Sequence, residues 1–231
     1  SGNQLTRYKG FLSVGHDEYW TKQMRDAVEG ARNNGVNLGF FGANVSYWQI
    51  RFEHSGTTGD ANRTMVGYKS SAVDPYITTN PAEATLKFRN PIVNRPEASL
   101  VGVMYDFDSV DGDMVISNCI PWICNGTNLV NGSVLPGMLG YEVDKVDPAS
   151  SPANIQIITA SPYLYNRDGI VETRFSNMTY YQAASGARVF ATGSMNWNFG
   201  VDAYLVNTTL VNPAVQQITR NVLNALRLPP P

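Results

Sequence analysis

A chain of 231 residues with 17 basic and 19 acidic side chains carries a formal charge of −2. It has no basic stripe, so the electrostatic footprint of a nucleic-acid binder is missing. Hydrophobic residues make up 43% and charged residues 16%: enough for a full core in one domain, with no apolar run near the roughly 20 residues of a membrane-spanning helix and no recognisable leader peptide.

Ser1-Gly2-Asn3 run straight into a strand-like segment, as in a piece of a longer protein. Residues 11–14 read as a short buried strand ending at Gly15. Thr21 is placed to cap a helix, and Met24, Ala27, Val28 and Ala31 follow at helical spacing as one apolar stripe. Gly35 suits a left-handed helix stop, and residues 36–41 form the next strand, ended by Gly42-Ala43-Asn44. Strand, helix and strand in this order predict a parallel pair with a right-handed crossover. Ligand sites in such sheets lie beyond the carboxyl ends of the strands. Residues 16–20 and 44–48, with their Tyr19-Trp20 and Tyr47-Trp48 pairs, should therefore share one edge.

From about 55 to 152 the rhythm changes to short strands at 64–69, 84–88, 100–105 and 114–116 between Pro, Gly and Asn breaks. Asp106, Asp108, Asp111 and Asp113 fall in what reads as one loop. Calcium needs such oxygen ligands, but the spacing is not that of a helix–loop–helix site, so a solvated turn is preferred. Cys119 and Cys124 fit either a short-loop disulfide or two buried thiols, and zinc lacks further Cys or His partners. Strands are expected again at 155–159, 176–181 and 187–191. A closing helix over 213–226 would bury Val215, Ile218, Val222 and Leu226. Pro229-Pro230-Pro231 read as a tail. The expected whole is one α/β domain over 1–231, a parallel sheet flanked by helices, with a β-rich insertion at about 55–152.

Few charges and much Asn, Ser, Thr, Gly and Tyr describe a composition common outside the cell. Asn44, Asn62, Asn125, Asn131, Asn177 and Asn207 begin glycosylation triplets, which allow modification without requiring it.

Five stretches in order resemble a known family: Gly15-His16-Asp17-Glu18-Tyr19-Trp20-Thr21, Gly42-Ala43-Asn44-Val45-Ser46-Tyr47-Trp48, Gly140-Tyr141-Glu142-Val143-Asp144, residues 180–187, and residues 193–202 with Trp197 at their centre. Together they are similar to the C-terminal domain of the N,N-dimethylformamidase large subunit, over nearly the whole chain. The resemblance implies a flavodoxin-like sheet of the class I glutamine amidotransferase type. The turn that would carry a nucleophile in such amidotransferases is here Gly42-Ala43-Asn44, without Cys or Ser, and Ser46 has no evident His–acid partner. It also implies an iron-dependent amidohydrolase acting on a small amide. The ferric ion would be held by Tyr19, Tyr47 and Glu142, a hard donor set suited to a hard cation. His16, Asp17 or Glu18 would orient ligands or move protons, and Asn44 would bind the substrate oxygen. Other domains or subunits of a larger protein are the expected partners besides the substrate.

Plainer readings stand beside these. Tyr and Trp at strand ends commonly pack, as Trp48 and Trp197 would. His16 can cap a loop, and His54 is an ordinary loop residue. Asp17 and Glu18 suit a helix start. A non-catalytic module of a secreted protein, or a sugar-directed enzyme using a carboxylate pair, would share this scaffold.

Overall fold

The structure is a computed structural model that describes residues 4–203 and 208–227. It is a mixed α/β fold with several sheets and few long helices. In chain order it runs β1 (Gly10–Val14), β2 (Tyr19–Thr21), α1 (Lys22–Asn33), β3 (Asn37–Phe41), β4 (Trp48–Glu53) and β5 (Thr64–Val66). Next come the short helices α2 (Tyr76–Thr79) and α3 (Ala98–Val101), then β6 (Met104–Val115), α4 (Pro121–Cys124) and β7 (Val134–Lys145). It closes with β8 (Gln156–Ile157), β9 (Ser161–Arg167), β10 (Ile170–Ser176), β11 (Thr179–Gln182), β12 (Arg188–Ala191) and α5 (Pro213–Leu226). No helix among the described residues is long and apolar enough to cross a membrane.

The main sheet has the order β1-β3-β12-β11-β8. β1, β3 and β12 are mutually parallel, while β11 and β8 run antiparallel to their neighbours. β3 is buried at every position, as a strand covered on both faces must be. Leu38 and Phe40 of β3, with Val189 and Ala191 of β12, join Trp20 and Val28 in one core. Phe41 and Phe190 point the other way, into a core with Val215, Ile218, Val222 and Leu226 of α5. The two-residue period of the strands thus divides the apolar side chains between two helix-covered faces. The predicted burial of the α5 stripe is realised at all four positions.

The first strand–helix–strand unit forms as expected. Thr21 Oγ1 accepts the Met24 amide at the start of α1, and Gly35 takes φ +86° after its end. The buried face of α1 differs, however: Arg25, Val28 and Ala31 are buried and Met24 is exposed. Arg25 is tolerated inside because its head group is fully engaged. It meets Glu29 at 2.6 Å, Ser46 Oγ at 3.2 Å and the Pro96 carbonyl at 3.1 Å.

The middle of the chain departs more from expectation. Residues 84–88 are no strand; only Lys87 bridges to Trp48. The Thr85 amide and hydroxyl go to the buried Asp74 carboxylate rather than to a ladder. Residues 98–101 are a helical turn, and β6 begins only after Gly102 reverses the chain at φ +97°. The four aspartates lie on β6, not in a loop. β6 and β7 form a long antiparallel hairpin with register shifts. Asp106 pairs with Lys145 and Arg174, and Asp108 with Arg167, so cations from neighbouring strands neutralise a strand that would otherwise repel itself. The expected strand at 176–181 is split: β10 ends at Ser176 and β11 begins at Thr179. Cys119 and Cys124 are disulfide-bonded around α4. Of the glycosylation triplets, Asn44 and Asn177 are buried, Asn62, Asn125 and Asn131 are exposed, and Asn207 lies outside the described residues.

Candidate functional site

The site begins where β1 and β3 end together. Gly15, at φ +77°, donates its amide to the Phe41 carbonyl at 2.9 Å. A Cβ on Gly42 would sit 2.5 Å from the Gly15 carbonyl oxygen, so only glycine allows these two backbones to touch. The loops leaving this point stay joined. The Ser46 amide donates to the Asp17 carbonyl, and the Tyr47 and Trp48 amides donate to that of Glu18. β2 and β4 then pair in parallel with Tyr19 opposite Trp48. The two segments thus lie on one edge, as the topology predicts, bound along their backbones.

Within this edge Asp17 is occupied by its own loop. Its carboxylate accepts Ser13 Oγ at 2.6 Å and Trp20 Nε1 at 2.7 Å, and so fixes the turn between β1 and β2. Asn44 and Ser46 both take left-handed φ values, 57° and 55°. Arg25 holds the Ser46 hydroxyl from beneath.

The carboxyl end of β7 supplies the facing wall. His16 Nε2 lies 3.7 Å from Glu142 Oε2, and the His16 ring is 5.7 Å from that of Tyr141. Glu142 Oε2 and Asn44 Oδ1 are both buried without a hydrogen-bond partner. Burial pushes the Glu142 carboxyl above the usual carboxylate range, the charge of His16 and a hydrogen bond from the Asn44 side chain draw it back, and the charges of Glu18 and Asp108 push it further up. Two residues on, Asp144 is wholly enclosed. Burial raises its pKa to about 7, against the lowering effect of the Asn44 amide, which donates to Asp144 Oδ1 at 2.8 Å.

The third wall is aromatic and cationic. Lys69 Nζ lies 2.6 Å from the Tyr19 hydroxyl, 4.6 Å above the Tyr19 ring and 4.9 Å from that of Trp48. Lys87 Nζ lies 4.9 Å over Tyr47 and 5.5 Å over Trp48. Tyr47 is buried, with ring centroids 5.2 Å from Trp48 and 5.1 Å from Tyr105. The Arg89 guanidinium, 5.1 Å from the Tyr47 ring, is bonded to both oxygens of Glu97 and to the Tyr105 carbonyl.

The fold therefore brings His16, Asn44 and Glu142 together and sets Tyr19 and Tyr47 on the same edge. Asp17 is turned into the β1–β2 loop, and Glu18 acts on Glu142 through its charge. Asp144, Lys69 and Lys87 were not singled out by sequence. Asp144 had a signal, because it follows Glu142 by two residues and so shares its face of a strand. The lysines had none. A cavity of about 500 Å³ lies on the outer flank, between β1 and α1, and shares Ser13, His16, Asp17 and Trp20 with this edge. Among the described residues no group of three or more His, Cys, Asp or Glu is placed to hold a metal; the two-tyrosine, one-glutamate set is of another composition.

No curated protein matches the chain. The family model described as N,N-dimethylformamidase beta subunit-like, C-terminal, matches residues 1–211, and with the motif-bearing loops gathered at one edge of the sheet, the chain belongs to that family.

Proposed function

We propose that this chain hydrolyses a C–N bond in a small amide, as the family's name suggests. The observation that carries the reading is Glu142: its buried Oε2 has no hydrogen-bond partner, faces His16 and lies beside the Asn44 side chain, whose Oδ1 is likewise unpartnered. Leaving such groups unsatisfied costs about 1–3 kcal/mol each, which a bound substrate or cation would relieve.

A ferric ion held by Tyr19, Tyr47 and Glu142 fits this surround. The donors are hard oxygens, and the orphaned Glu142 oxygen lacks the coordination a cation would give. Tyr19 would have to yield the hydrogen bond from Lys69. The chemistry such an ion supplies when bound is Lewis acidity toward an amide carbonyl and a water. The protein's own part is to hold and move protons. His16, which faces Glu142, would pass a proton to the departing amine. Asn44, fixed through its backbone amide to Asp144, orients the substrate. The finer architecture we propose is a single amidotransferase-like domain. β1, β3 and β12 would be its parallel strands, and residues 55–152 a β-rich insertion. The exposed edge strand β1, with Leu12 and Val14 turned to solvent, supports work within a larger assembly.

Purified protein assayed for amine release from N,N-dimethylformamide and related small amides, with metal content and the visible spectrum recorded, tests the reading. E142Q and H16Q should each lower the rate by about 100-fold or more, the range of general acid–base contributions. Activity unchanged in E142Q would remove the proposal.

A further inference from the structure

The basic wall of the site has no acid to answer it. Among the described residues neither Lys69 nor Lys87 forms an ion pair, in contrast to Arg89, which Glu97 neutralises. Lysine on an open surface keeps its four-carbon stem mobile, and fixing it costs up to about 2 kcal/mol of side-chain entropy. Both lysines are nonetheless positioned from the backbone. Lys69 is at φ +59°, a region that non-glycine residues rarely adopt, and its amide donates to the Thr85 carbonyl at 2.9 Å. Lys87 is pinned on either side, by the Gln49 amide to the Leu86 carbonyl at 2.8 Å and the Phe88 amide to the Tyr47 carbonyl at 2.9 Å. The two ammonium groups arrive over one indole, that of Trp48. A cation over a ring face is held in place yet keeps most of its donors open.

The opposite wall carries Glu142, with Glu18 and Asp108 close enough to act on it. The edge thus carries carboxylates around the end of β7 and two ammonium groups without an ion pair beside the aromatic rings of Tyr19, Trp48 and Tyr47. A neutral amide would use only half of it.

We infer that the substrate carries a carboxylate, which Lys69 and Lys87 bind over the Trp48 ring while its amide lies toward Glu142: an N-acyl amino acid or a similar acidic amide. This rests on the amidohydrolase reading for the site but not for the charge recognition. A carboxylate accepts charge-assisted hydrogen bonds from ammonium donors, which a neutral ester does not match.

The test compares N-formylglycine with its methyl ester, which differ chiefly in charge. Binding is followed by calorimetry and tryptophan fluorescence, and hydrolysis is followed separately. Wild-type protein should bind the acid about tenfold or more tighter than the ester, the worth of one hydrogen bond to a charged group. That preference should shrink with added salt. K69M and K87M should each bring the acid-to-ester ratio toward one, and K87R should restore it. Circular dichroism confirms that each variant is folded. Equal affinity for acid and ester, no binding of either, or a preference that survives in both methionine variants would overturn the inference. Acid-selective binding without hydrolysis would uphold it while removing the hydrolase reading; equal hydrolysis of both would do the reverse.

Discussion

Glu142 and Asp144 share one face of β7 and do different work. Glu142 presents an unpartnered oxygen to the site, whereas Asp144 spends its Oδ1 on the Asn44 amide. D144A would leave that amide buried without an acceptor, at a cost of about 1–3 kcal/mol. D144N keeps an acceptor oxygen in place. Urea denaturation should show D144A less stable by that amount and D144N close to wild type or better, since an amide is easier to bury than a charge. The family resemblance made Glu142 visible among residues whose local pattern is an ordinary strand. Lys69 and Lys87 stayed invisible because nothing local aims them. One depends on a left-handed backbone residue, the other on a bridge to Trp48 that replaces an expected strand.

At the scale of elements, α1 shows what a helical pattern can and cannot reveal. The spacing of apolar residues located the helix and its cap, but it assigned Met24 to the interior in place of Arg25. A buried guanidinium has no apolar signature. It is found only by asking which acceptors surround it, and these come from Glu29, Ser46, Pro96 and Ser99. R25M would leave Glu29 to Arg95 alone and strip the Ser46 hydroxyl and the Pro96 carbonyl of their guanidinium donor. The expected loss is about 1–3 kcal/mol, the cost of buried polar groups left without their donor, read from the midpoint of chemical denaturation.

Asp74 plays the matching role between β4 and residues 84–88. Burial opposes its ionisation, but hydrogen bonds from the Thr85 amide, the Tyr76 amide, the Thr85 hydroxyl and Arg51 outweigh it, so its pKa is lowered. Its contribution is therefore full above the unfolded-state pKa of about 3.9 and is lost as pH falls through the lower folded-state value. Wild-type protein should lose stability over that acid window, and D74N should lack this component while being weaker at neutral pH. The disulfide around α4 closes a loop of a few residues, for which chain entropy gives about 2 kcal/mol. The C119S/C124S double variant should melt earlier by the equivalent amount, and reducing agent should reproduce the shift in the wild type.

For the whole molecule, the parallel unit at the front and the closing helix were legible because each buries a long periodic stripe. The middle was not, because its hydrogen bonds go to side chains and its long hairpin changes register. The acidic spacing of β6 imitates a loop until the cations of β7, β9 and β10 are placed beside it. The site lies at the junction of these two regimes, so its motifs could be recognised while their mutual geometry could not.

The hydrogen bond from Asn44 to Asp144 spans 100 residues, and the Asp144 amide donates in turn to the Gly193 carbonyl. Ser194 Oγ accepts the Gly140 amide and donates to the Met138 carbonyl, tying the same strand to the end of β12. A chain still growing on the ribosome therefore has no assembled site until β12 has emerged. Loops 16–20 and 44–48 must wait while some 150 further residues are made, roughly ten seconds or more at ordinary synthesis rates. Nascent chains arrested before residue 188 should leave the Asn44 amide open to hydrogen exchange, and chains released after α5 should close it.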